Sequence, residues 1–161
     1  MKIVRWLQWV AFALWLGGLI GIGALSAPAA FDTIRHAPAT AGLPAPEQSA
    51  LAGQIVGTAL RHFNVLCVVL VVLLCIGVLV GWRRSSPRRQ IAEVVTVGAL
   101  GISLAVLMQI LLPAMDAAQA AGQMPRFDTL HRVYENVANL QMLLLLVLAA
   151  LYVARDNPSK G

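Results

Sequence analysis

Charge is what this 161-residue chain has least of. Asp, Glu, Lys and Arg make up 12% of it, about half the roughly 25% of an ordinary soluble domain. None occurs in four stretches: Trp6 to Phe31, Phe63 to Trp82, Val94 to Met115 and Asn136 to Ala154. So much uncharged chain excludes a water-soluble globule. Cysteine is nearly as scarce. Cys67 and Cys75 lie eight residues apart on one predicted helix, about 12 Å by helical rise, beyond the roughly 7 Å Cα separation a disulfide allows. They read as small apolar core residues. Enzymatic signatures are missing too: there is no Gly-x-Ser-x-Gly, no His-Glu-x-x-His and no phosphate-binding loop. No acid sits deep in a span, where a proton relay would need one. The sequence therefore points away from an enzyme and from an ion-coupled pump.

What the chain does have is apolar length. The uncharged stretches run 19 to 26 residues, and about 20 residues at 1.5 Å rise cross a 30 Å hydrocarbon core. This predicts an all-α integral membrane bundle, one domain over residues 1–161, with four spans at about 6–27, 62–82, 92–113 and 134–154. The net charge of +5 is explained by topology, so no nucleic-acid partner is expected. Eight of the twelve basic residues (Lys2, Arg5, Arg83, Arg84, Arg88, Arg89, Arg155 and Lys160) fall on one side of the spans. Arg35, Arg61, Arg126 and Arg132 share the other side with most of the acids. The positive-inside rule then places both termini and the middle link in the cytoplasm, with the bilayer as partner and a bacterial inner membrane as location. A signal peptide is the alternative reading of the first span, from its basic start and the small-residue run ALSAPAA. Its uncharged stretch is longer than a usual signal core.

Small residues form stripes. Gly17 and Gly21, flanked by Ala13, Ala24 and Pro28, recur at helical spacing on the first span, and Gly77 and Gly81 do so on the second. In lipid such faces let backbones approach closely, so these four glycines are expected at helix–helix contacts, within the chain or with another copy. Proline at position 28 should stop the first helix, leaving an irregular connection until a helix resumes near Glu47. A second outer connection is expected from Pro113 to Arg132. Phe31-Asp32-Thr33-Ile34-Arg35-His36 and Phe127-Asp128-Thr129-Leu130-His131-Arg132 echo one another, which two duplicated hairpins would explain.

Polar residues gather at the outer ends of the even spans: Arg61, His62 and Asn64 on the second, and His131, Arg132, Asn136 and Asn139 on the fourth. These seven are the candidate ligand or partner site. Their plain alternative is solvation of a helix start, with the Asn side chains as glue between helices. Deeper polar groups, Gln8, Thr96, Ser103, Gln109 and Gln141, should point into the bundle or bond across it. Glu93 reads as interfacial. No metal site or cofactor is expected, because no compact pair of His, Cys or Met ligands exists. A haem between His62 and His131 would face a depth mismatch of about 6 Å.

Three segments resemble a known family: LWLGGLIGIGALSAPAAFDTI, AGQIVGTALRHFN and MPRFDTLHRVYENVANLQMLLLL. They are similar to a small bacterial family of unknown function related to eukaryotic transmembrane protein 205. The shared positions are Trp15 and Gly17, Ala27-Pro28 with Phe31, Ala52-Gly53 through Phe63, and Phe127, Leu130, His131 and Asn139. Where a small serine is expected after the last histidine, this chain has Val133-Tyr134. The resemblance implies a four-helix membrane protein without an established activity, and the eukaryotic relatives' link to platinum-drug resistance implies metal or drug handling. LWLGGL and LRHFNVLCVVLVVLLCIGVLVGW also resemble segments of copper-resistance D-type membrane proteins. The expected function is thus non-enzymatic, with an outward polar face that binds a small ligand or partner. Metal or drug export and an accessory role in a homo-oligomer or larger membrane complex are the alternatives.

Overall fold

The computed structural model describes residues 2–81 and 87–156. They form four long helical rods and, among the described residues, no strand. Rod one joins α1 (Lys2–Ile20) to α2 (Ala27–His36) through a π-helical turn, Gly21–Ser26. Rod two is α3 (Ala45–Gly81). Rod three joins α4 (Pro87–Val106) to α5 (Leu112–Ala120) through a second π turn, Leu107–Leu111, and rod four is α6 (Met124–Asp156). Arg83, Arg84 and Lys160, expected on the cytoplasmic side, and Trp82, the end of the second uncharged stretch, lie outside the described residues.

The expected stop at Pro28 does not occur, nor does an irregular connection begin at Pro113. Proline lacks an N–H, and its ring collides with the carbonyl four residues back in a regular α-helix. Both rods escape this in the same way. Ala27 N–H bonds to the Ile22 carbonyl, and Leu112 N–H bonds to the Leu107 carbonyl. Each five-residue bond accommodates one extra residue just before the proline, so the helix continues. The outer connections are correspondingly short. Residues 37–44 are pinned by Thr40, whose hydroxyl shares its one proton between the carbonyls of Ala37 and Ile34. Gln48 Nε2 donates to the carbonyls of Thr40 and Leu43 at 3.0 and 3.1 Å. Between α5 and α6 the turn needs a left-handed residue, supplied by Gly122 at φ +66°.

The two Phe-Asp-Thr echoes occupy unlike places, one ending rod one and the other opening rod four. Duplication gains nothing from them. The paired π turns before Pro28 and Pro113 are the stronger correspondence.

The candidate spans within the rods, Ile3–His36, Ala45–Gly81, Pro87–Ala120 and Met124–Ala154, run 34, 37, 34 and 31 residues, or about 47 to 56 Å, well over the 30 Å of hydrocarbon. The uncharged stretches fill most of rod one, the middle of rod three and the C-terminal parts of rods two and four. At the end of the bundle away from the two chain termini, here the outer end, rods two and four carry charge-bearing segments at residues 45–62 and 124–135, and rods one and three extend only five residues past their uncharged stretches. These are four candidate membrane-spanning helices, and the chain is a multi-pass membrane protein.

Rods one and two form one hairpin, rods three and four another. A main cluster draws on all four, including Trp15, Cys67, Leu74, Leu100, Leu104, Leu145, Leu148 and Tyr152. Burial within the chain is uneven, at 39% of the apolar window in rods two and three but only 11% in rod one. Close approach falls at two glycines. A Cβ on Gly18 would strike the Phe63 ring, and one on Gly77 would strike the Gln8 side chain. Gly17 and Gly21 have nothing within 4 Å of that position, so their stripe faces away from the rest of the chain. Gly81 is partly exposed.

Candidate functional site

Helix periodicity on α3 puts Asn64, Cys67, Leu70 and Leu74 on one buried face. Asn64 is the polar member, and its Nδ2 donates to the Tyr134 hydroxyl of α6 at 3.2 Å. The two are 3% and 6% exposed, so this contact between rods two and four is sealed from outside. One turn further out, Arg61 Nη2 donates to Asp116 Oδ1 of α5 at 2.5 Å. That ion pair is about half exposed on both sides (54% and 50%). The two contacts bring side chains from rods two, three and four together where the hairpins meet at the outer end. Around them lies a smaller apolar cluster of Leu107, Leu111, Met115 and Tyr134, against which Leu60 of the first hairpin packs.

The remaining sequence-derived candidates do not converge on this junction. His62 is exposed, its Nδ1 2.9 Å from the Thr58 carbonyl one turn earlier. His131 is exposed and forms a stripe along α6, stacked on Phe127 at 6.0 Å and 3.3 Å from Glu135. Arg132, Asn136 and Asn139 are exposed on α6. Of the seven, Arg61 and Asn64 stand at the junction, and five lie on outward surfaces. Sequence reading missed Asp116 and Tyr134. The available signal for Tyr134 was its position seven residues before Gln141, which gives two polar side chains on one helical face.

Two further buried polar contacts tie rods together deeper in the bundle. Gln8 donates to the Tyr152 hydroxyl at 3.1 Å, with Trp9 edge-on to the Tyr152 ring at 5.7 Å. Gln141 donates to the Ser103 hydroxyl at 3.1 Å. Leu145 and Leu148, wholly buried, separate these pairs along α6, so the pairs act as glue and do not form a continuous polar path. Thr96 is also buried, its hydroxyl satisfied by the Ala92 carbonyl at 2.7 Å. Gln109 departs from the expected inward orientation and is exposed. Glu93 also differs from its interfacial reading, being only 2% exposed. The Ser103–Gln141 pair should carry about 0.6 kcal/mol of coupling, the usual scale for such bonds in membranes. A double-mutant cycle with Ser103→Ala and Gln141→Leu measures it by thermal unfolding in detergent.

Among the described residues no three His, Cys, Asp or Glu side chains gather as a metal-ligand group. Cys67 is buried and Cys75 exposed, both as free thiols.

A family model described as a domain of unknown function (DUF4149) matches residues 10–124. The match contains Arg61, Asn64 and Asp116, whereas Tyr134 and His131 lie beyond it. No curated protein and no solved structure matches the chain.

Proposed function

The chain belongs to the family of the domain of unknown function DUF4149, and we propose that it is a non-enzymatic membrane protein that binds a small ligand where its two hairpins meet. The reading places it in a bacterial inner membrane, both termini cytoplasmic, with the junction facing outward. One observation carries it: Arg61–Asp116 and Asn64–Tyr134 bring charged and neutral hydrogen-bonding groups from three rods to one place. Conformational entropy opposes holding four polar side chains together, and glue alone would not need a charged pair beside a sealed neutral one. The resemblance to transmembrane protein 205 and to copper-resistance D-type proteins directs the ligand search toward metal ions and drug-like molecules.

The test is a thermal-shift screen of the detergent-purified chain against metal salts, small organic ions and platinum compounds. A ligand should raise the Tm of the parent and fail to raise that of Asn64→Leu, whose side chain has the same branching and number of heavy atoms but no hydrogen-bonding group. A ligand that stabilises both equally would contradict the site.

An accessory-subunit role is the second reading, favoured by the open face carrying Gly17 and Gly21 on the least covered rod. It predicts that Gly21→Leu releases a co-purifying membrane partner while leaving the Tm of the isolated chain unchanged.

A further inference from the structure

The outer end of rod three is built differently from its inner end. α4 packs in the cluster shared by all four rods. α5 follows the π turn Leu107–Leu111 and carries Pro113 in its first turn, a combination that interrupts the regular hydrogen-bond ladder and locates helix bending. Beyond that point α5 packs chiefly on α6 and on its own π turn. Leu60 supplies the first hairpin's apolar contact with the outer cluster. Beside that packing, the polar tie between α5 and α3 is the ion pair of Asp116 with Arg61, half exposed to the surroundings. Gly81 and Pro87, which end rod two and begin rod three, lie at the opposite end of the bundle. Directly inward of the ion pair come Asn64 and Tyr134, and one turn further Cys67, which is 1% exposed.

We infer that α5 is a hinged flap, bending at Leu107–Leu111 and latched by Arg61–Asp116, whose opening admits water to the Asn64–Tyr134 pair from the outer side. The flap explains why a sealed neutral pair lies under a half-exposed charged one. The charged pair dissociates into water at little cost, since each partner regains hydration, whereas the neutral pair stays protected until the flap moves. The inference rests on the junction being the binding site, because the flap would control entry to it.

Cys67 reports opening directly. The full chain is reconstituted in liposomes with Cys75→Ser to remove the exposed thiol, and labelled with a membrane-impermeant, sulfonate-bearing methanethiosulfonate. Labelling of Cys67 should be slow in this parent and about fivefold faster in Asp116→Asn, the population shift available from one exposed ion pair. The charge swap Arg61→Asp with Asp116→Arg should return the rate toward the parent. Raising salt should accelerate the parent and leave Asp116→Asn unchanged, because screening acts only on a pair that exists. Parental labelling in Asp116→Asn overturns the flap. So does labelling of that variant at the rate of SDS-denatured protein, which would mark global unfolding. A swap as fast as the single variant also overturns it, whatever the single variant's folding. A ligand that raises the Tm through Asn64 while Asp116→Asn labels at the parental rate would overturn the flap and leave the binding site standing.

Discussion

Replacing Gly77 by Leu should destabilise the bundle by about 1–3 kcal/mol or more, the range for overpacking a filled site, and the same replacement at Gly18 should cost a similar amount. Replacing Gly17, one residue away, should change stability by no more than about 0.5 kcal/mol. The three glycines are alike in composition and helical setting, so the contrast depends entirely on what faces each. A Cβ at Gly77 collides with the Gln8 side chain, which is held by its bond to Tyr152. A Cβ at Gly18 meets the Phe63 ring, itself buried at 7% exposure beside Asn64. At Gly17 there is open space. Thermal unfolding of the three variants in one detergent reads the difference. If Gly17→Leu is as damaging as Gly77→Leu within the isolated chain, the packing of rod one on rod two is not as described.

The second large effect concerns the extra residue in rod one. Deleting Gly23, which is exposed and has nothing within 4 Å of its Cβ position, should convert the π turn to a regular α-helix. A π turn absorbs one residue, so the flanking helices keep their faces. What changes is Pro28, which would then stand in an unbroken α-helix and collide with the carbonyl four residues earlier, at about 3 kcal/mol. The deletion alone should therefore be strongly destabilising, and the deletion combined with Pro28→Ala should recover most of the loss. A Pro28→Ala change that fails to rescue would show that the turn has some other cause. Circular dichroism melts of the parent, the deletion and the combination decide it.

The span pattern was legible because hydrocarbon imposes length and excludes charge, and both are visible in Trp6–Phe31 or Val94–Met115 without a structure. The extent of the helices was not. Pro28 and Pro113 are ordinarily stop signals, and only the backbone shows a π turn absorbing each. Arg61 and Asn64 were found as outer polar residues, but their partners were hidden. Asp116 follows a proline and resembles a loop acid, while Tyr134 passes as an interfacial aromatic. Pairing across rods depends on relative rotation, which local sequence constrains weakly. The glycine stripe shows the same limit from the other side. Spacing identifies a face on which backbones could approach, and in rod one that face turns outward while Gly18, beside it, takes the contact.

Native mass spectrometry of the chain extracted from membranes in mild detergent decides whether the outer junction or the glycine face of rod one carries the function. A small-molecule or metal mass should be retained by the parent, lost in Asn64→Leu and kept in Gly21→Leu. A protein partner that is lost in Gly21→Leu and kept in Asn64→Leu, with no small mass in either, would contradict it.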